Sequence, residues 1–186
     1  MLSTDAVVHE LYDDPAVRDL VVGRWGPEVA PGGRVDRRAV AGRAFAGDGE
    51  RAWLEGVLWP RVAERLEAWR AAEAARRPAP IALVAEVPLL FEAGMEGGFD
   101  ATVAVVAAED VRRDRAGARG HAALDERAAR QLGQDEKAAR ADHVIANDGS
   151  LEDLEAAVAT VLAAVNTSQR AGSSSRPSPA RGRLGA

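Results

Sequence analysis

The run Ile81-Ala82-Leu83-Val84-Ala85-Glu86-Val87-Pro88 limits the fold more than any other part of the chain. Its first five residues are apolar and uncharged, follow the loop signal Arg77-Pro78-Ala79-Pro80, and are too few to span a membrane. A strand covered on both faces reads this way. Glu86 then sets a carboxylate at the strand's end, and Pro88 removes the donor that would let a ladder continue. In open α/β sheets, ligands bind at that carboxyl end. The segment is equally consistent with a plain core strand that ends in a turn.

With 186 residues, 47% hydrophobic and 28% charged, the chain suits one domain with its own core and a small appended subdomain. The absence of cysteine excludes disulfides and thiolate metal ligation, and His9, His121 and His143 lack the close spacings of a zinc site, so no metal centre is expected from the chain's own ligands. A net charge of −5 argues against a nonspecific nucleic-acid coat. Without a signal peptide or a membrane span, the expectation is a soluble cytoplasmic protein with no nucleic-acid or membrane partner.

In chain order, Asp5 is placed to cap a helix over Ala6 to Tyr12, with His9 one turn along the same face and within hydrogen-bonding reach. Asp14-Pro15 signals a second helix, with Val17, Leu20 and Val21 on its apolar face, and Gly26-Pro27 ends it. Asp36 opens a third helix with Val40, Ala44 and Phe45 at helical spacing. The longest helical pattern runs from Arg51 to Arg76 on Leu54, Leu58, Val62, Leu66 and Trp69, and Pro60 inside it predicts a kink or a junction near Trp59. Asp100 to Ala107 reads as a second buried strand. Glu109-Asp110 then starts a helix carrying Arg112, Arg113, Arg115 and Arg119, and Leu124, Ala128 and Leu132 organise another with Arg127, Arg130 and Gln131. By themselves these arginines read as a solvated face. His143 to Ala146 is a last short strand before the turn Asn147-Asp148-Gly149. Ser150 with Asp153 makes a capping-box start for a helix whose buried stripe is Leu151, Leu154, Val158, Val161, Leu162 and Val165. The folded domain is expected over residues 1–165. The Ser/Arg/Gly/Pro-rich tail 166–186 has too little large apolar surface to offset its chain entropy and is expected to be disordered.

Strands alternating with helices predict an α/β fold with a parallel sheet covered on both faces. That order gathers Asp5, Glu86 and the Asn147 turn at the carboxyl ends of the strands. A carboxylate beside arginines suits phosphoryl transfer to an alcohol: the acid orients or deprotonates the hydroxyl, and guanidinium groups balance charge on the transferred group.

Several segments, taken in order, closely resemble the dephospho-CoA kinases from Ser3 to Val165. They are Ser3-Thr4-Asp5-Ala6 with His9-Glu10-Leu11, Arg24-Trp25-Gly26-Pro27-Glu28, Val35-Asp36-Arg37, and Val87-Pro88-Leu89-Leu90-Phe91-Glu92. Gln131 with Glu136-Lys137-Ala138-Ala139-Arg140-Ala141-Asp142, and Val144-Ile145 with Asn147-Asp148-Gly149, complete the set. The resemblance implies a P-loop-kinase-like parallel sheet flanked by helices, with a helical acceptor subdomain and a lid. It also implies magnesium-assisted transfer from ATP to the ribose 3′-hydroxyl of dephospho-coenzyme A, the last step of coenzyme A synthesis. By position it places the acceptor-side acid at Asp5 and lid residues that close over phosphates at Arg115, Arg119 and Arg127. Asn147, Asp148 and Gly149 match the loop near the adenine, and further substrate or nucleotide contacts fall at His9, Glu86 and Arg140. Glu86 stands where many members carry an aspartate that reaches magnesium through water. Trp59-Pro60 departs from the His-Pro pair common in the family's helical subdomain, a change that bears on the acceptor pocket.

Members of the family begin with a strand, a Gly-x-x-x-x-Gly-Lys-[Ser/Thr] phosphate loop and a helix ahead of the segment equivalent to Ser3, and no such run occurs in these residues. Backbone amides of that loop cradle phosphates, its lysine bridges to the transferred group, and its hydroxyl holds magnesium. The expectation is therefore a sheet missing its first, central strand, with unpaired backbone groups beside the gap. A chain so composed should bind ATP poorly and transfer slowly or not at all. A start placed too far downstream and a truncated copy both account for it, and the intact downstream motifs favour the former. Two other readings stand beside this one: another small-molecule or nucleoside kinase of the phosphate-loop group, and a non-catalytic remnant that binds only the acceptor.

Overall fold

Four α-helices, two short 3-10 turns and one short pair of parallel strands make up residues 1–88, the first of two units in the computed structural model, which describes residues 1–118 and 131–173. Strand β1 (Leu2–Ser3) leads directly into α1 (Thr4–Leu11), and α2 (Pro15–Trp25), α3 (Arg37–Ala44), α4 (Asp48–Ala74) and β2 (Ala85–Glu86) follow. Asp14 caps α2 by accepting from the Ala16 N–H at 2.8 Å, and Asp36 caps α3 by accepting from the Arg38 and Ala39 N–H groups at 2.8 and 3.2 Å. Gly26, at φ 91°, takes the backbone out of α2 along a path that a side chain would strain. The first helix departs from expectation: Ser3 occupies the N-cap without a side-chain bond, so Asp5 lies within the first turn and is not the cap.

Two apolar clusters hold this unit. Val7, Leu11 and Val17 meet Leu58 and Val62, and Val21, Trp25 and Val29 meet Val40 and Ala44. Leu20 and Phe45, expected on buried faces, are exposed. Helix α4 runs unbroken through Pro60 and is not two helices. The proline leaves the Gly56 carbonyl without its usual donor, and Gly56 has no side chain to crowd the ring. Next to it, the Arg61 side chain donates to the Val57 carbonyl at 2.6 Å, and Leu58, Val62 and Leu66 are buried on both sides of Pro60.

The largest departure concerns Ile81 to Ala85. Only Ala85 and Glu86 join a ladder, opposite Leu2 and Ser3, and Ile81 is 77% and Val84 55% exposed. Besides those pairs, among the described residues only the Leu2 N–H hydrogen-bonds to this stretch, at the Val84 carbonyl 3.0 Å away. An apolar run is buried as a strand only where neighbours cover both of its faces, and among the described residues of this unit the two-residue β1 is its sole strand partner.

The second unit begins at Leu89 and contains β3 (Val103–Val106), α5 (Glu109–Ala118), α6 (Gln134–Arg140), β4 (His143–Ala146) and α7 (Leu151–Ser173). β3 and β4 are parallel, in register from Val103 opposite His143 to Val106 opposite Ala146. The described residues thus carry the expected α/β architecture, with one small parallel strand pair in each unit. β3 is not buried throughout: Val103 and Val105 are exposed and alternate with buried Ala104. Ser150 and Asp153 form the expected reciprocal cap, with the Asp153 N–H donating to Ser150 Oγ at 3.2 Å and the Ser150 N–H to Asp153 Oδ2 at 2.9 Å. The stripe on α7 is only partly covered, since Leu151 and Val158 are exposed. The helix also continues into the stretch expected to be disordered. Thr167 to Ala171 contains no glycine or proline, and the Thr167 hydroxyl donates to the Ala163 carbonyl at 2.9 Å. The rest of that tail, and Leu124 and Ala128 of the expected arginine-bearing helix, lie outside the described residues.

Candidate active site

In the first unit, the register that sets Ser3 opposite Glu86 puts Glu86 and Asp5 at the same, carboxyl end of the β1–β2 pair. Thr4 makes this juxtaposition firm. Its side chain is buried, and its hydroxyl donates to the Glu86 carbonyl at 3.1 Å. Asp5 and Glu86 are exposed, and neither carboxylate has a hydrogen bond or ion pair among the described residues. Such a group is free to accept a proton from a bound hydroxyl or to meet a hydrated cation. His9 is exposed farther along α1, and no hydrogen bond joins it to Asp5. Sequence reasoning gave Thr4 no role of its own, because its partner lies 82 residues away.

In the second unit, side chains tie the carboxyl ends of β3 and β4 together. Gln134 accepts from the Ala107 N–H at 2.9 Å and donates to the Ala107 carbonyl at 3.0 Å, and Asp148 accepts from the Ala108 N–H at 2.6 Å. The Asn147 N–H reaches the Val106 carbonyl at 2.7 Å. Arg115 donates from Nη1 to the Asn147 carbonyl at 2.6 Å and from Nη2 to the Gly149 carbonyl at 3.3 Å. A Cβ on Gly149 would come within 2.6 Å of Asp153 Oδ2, so the turn needs glycine there to leave the cap intact. Asp153 is held below the usual carboxylate range by the Ser150 hydroxyl and N–H. Asn147, Asp148, Gly149 and Arg115 are therefore brought together. Arg119 and Arg127 lie outside the described residues.

Arg140 is differently placed. It pairs with Glu96 at 2.7 Å, donates to the Phe91 carbonyl at 3.3 Å, and stacks 4.9 Å from the Phe91 ring centre. It precedes β4, whereas the Asn147 turn follows that strand. Glu92 accepts from the Leu132 N–H at 2.9 Å and pairs with Lys137 at 3.1 Å. Burial pushes its carboxyl up, but the backbone donors and Lys137 outweigh that and leave it below the usual range. At the other end of the strands, Asp142 Oδ2 accepts from both the Thr102 hydroxyl and N–H at 2.8 Å, contacts that hold Asp142 below its ordinary value. None of these three braces was legible from spacing, since their partners lie about forty residues apart or sit in an irregular segment.

Among the described residues, no cluster of three or more His, Asp or Glu side chains could hold a metal ion by itself, and no helix is long and apolar enough to cross a membrane.

Comparison with known proteins gives one consistent answer. The family model described as dephospho-CoA kinase matches residues 2–153. A dephospho-CoA kinase of Deinococcus radiodurans is 41% identical over 158 residues, covering 83% of this chain and 75% of that one. A dephospho-CoA kinase of Thermus thermophilus is 40% identical over 152 residues, covering 80% and 72%. Among solved structures, the crystal structure of TT1252 from Thermus thermophilus superposes with a TM-score of 0.70 at 36% identity, covering 88% of this chain and 83% of that one. The dephospho-CoA kinase from Campylobacter jejuni, at 20% identity and a TM-score of 0.61, shares the fold over 90% of this chain and 85% of its own.

Proposed function

Because the chain belongs to the dephospho-CoA kinase family, we propose that it phosphorylates the ribose 3′-hydroxyl of dephospho-coenzyme A with ATP as donor, in the cytoplasm. Asp5 orients the hydroxyl and takes its proton. As the oxygen bonds to the γ-phosphorus, the bond from that phosphorus to the β,γ-bridging oxygen breaks and ADP leaves. Glu86 would hold magnesium through water: its carboxylate has no partner among the described residues, and kinase magnesium sites need only one or two carboxylates besides the phosphates. When bound, the metal supplies neutralisation of the phosphate charge. The turn Asn147–Gly149 serves the nucleotide. Since no Gly-x-x-x-x-Gly-Lys-[Ser/Thr] run occurs in these 186 residues, transfer by them alone is slow.

The observation that carries this reading is the pair of partner-free carboxylates, Asp5 and Glu86, at the carboxyl end of parallel strands. The test is single-turnover transfer of labelled phosphate to dephospho-CoA, scored as 3′-phosphate. Asp5→Asn lowers the rate about a hundredfold or more and leaves acceptor affinity within about twofold. Unchanged transfer removes Asp5 from the role, and faster transfer to simple nucleosides than to dephospho-CoA rejects the acceptor.

A further inference from the structure

We infer that Arg115 is a positioning residue for base recognition, one that holds the Asn147–Gly149 turn in place and does not contact the transferred phosphate. The inference rests on the reading of this protein as an ATP-using kinase. Its guanidinium reaches two carbonyls of the same turn, Asn147 at 2.6 Å and Gly149 at 3.3 Å, and the fork geometry of arginine lets one side chain serve both. Other polar groups of the turn are engaged as well. The Asn147 N–H bonds to the Val106 carbonyl at 2.7 Å, and Asp148 accepts from the Ala108 N–H at 2.6 Å. The carboxamide of Asn147, by contrast, makes no hydrogen bond among the described residues.

A turn fixed from several sides, with one carboxamide left over, stands at the carboxyl end of the parallel β3–β4 pair, the edge where such sheets bind ligands. A carboxamide presents a donor beside an acceptor. That matches the N6 donor and N7 acceptor of adenine, whereas guanine shows two acceptors on the same edge. Arg115 is half-buried and already bonded, so its effect reaches the base through the backbone it holds.

The test compares ATP and GTP binding by calorimetry in the whole chain and in Arg115→Lys, with amide hydrogen exchange across the turn. A lysine keeps the charge but reaches one carbonyl at most. The expected result is about a tenfold weaker ATP affinity with GTP affected less than about twofold, and faster exchange at the Asn147 N–H. Asn147→Ala is expected to remove the same preference without loosening the turn. Equal weakening of both nucleotides marks a phosphate contact and overturns the inference. So does an unchanged preference, or a parent protein that binds neither nucleotide. Preferential ATP binding without transfer to dephospho-CoA breaks the functional reading and leaves this one standing.

Discussion

In residues 1–88 the deeply buried positions are aliphatic or aromatic apart from Thr4, with Val17, Val21 and Val29 fully covered, whereas among the described residues beyond 88 only Phe91, Ala104 and Ile145 join Thr102 at that depth. The second unit compensates with side chains bonded to backbone and to each other: Thr102 with Asp142, Gln134 with Ala107, Asp148 with Ala108, Glu92 with Lys137. Burial of hydrocarbon is nearly indifferent to pH, but a carboxylate that accepts several hydrogen bonds works only while ionised. The unit of residues 1–88 therefore rests less on ionised carboxylates than the unit that begins at Leu89.

The largest effect expected from this contrast is in the helical core. Leu58→Ala removes a side chain shared by α1, α2 and α4 and costs about 3 kcal/mol of that unit's stability. Urea unfolding followed by tryptophan fluorescence isolates it, because Trp25, Trp53, Trp59 and Trp69 all lie before residue 88. A shift under about 1 kcal/mol would break the picture of a tight apolar core there.

Next is Asp142→Ala, which strands the Thr102 hydroxyl and N–H and costs about 1–3 kcal/mol. The loss should register in circular dichroism and in β3–β4 amide exchange and leave the fluorescence transition in place. A matching fluorescence shift would show that the two units unfold as one.

Acidification comes third. Asp142 and Glu92 are held below their ordinary values, so their stabilisation is complete above the unfolded carboxylate range and is lost as pH falls through the lower folded values. Amide protection in β3 and β4 should therefore decline below about pH 4, ahead of any change in the tryptophan signal. Glu50 is also held down, by Arg24 and Trp25, but that pair is solvent-exposed and contributes little. The smallest effect belongs to Arg112→Ala. It removes an exposed pair with Glu109 one turn away and should change stability by less than about 0.5 kcal/mol.

Reading the sequence worked where the physics was local. Asp14, Asp36 and the Ser150–Asp153 pair reveal themselves because a cap and its N–H partner lie within three residues. His143 to Ala146 was legible as a strand because a short, largely apolar run stands between Asp142 and an Asn-Asp-Gly turn. Ile81 to Val84 failed as a buried strand because cover comes from distant chain, about which composition is silent. The partners of Arg115 are 32 and 34 residues away, so its bonding to the turn carbonyls was hidden and only its charge was visible. Asp5 was noticed as a cap-like acid, while Thr4 beside it, whose hydroxyl anchors β2, carried no local signature.

Glu86 and Asp5 differ in how they are tethered. Asp5 rides on a helix seated against α4, but Glu86 ends an irregular strap running from Ala75 to Val84, fastened by two residue pairs and the Thr4 hydroxyl. Opening that clasp sacrifices a few hydrogen bonds of about 1 kcal/mol each and no large buried side chain. Asp5 is thus held by a packed helix, and Glu86 by a few hydrogen bonds between short strands.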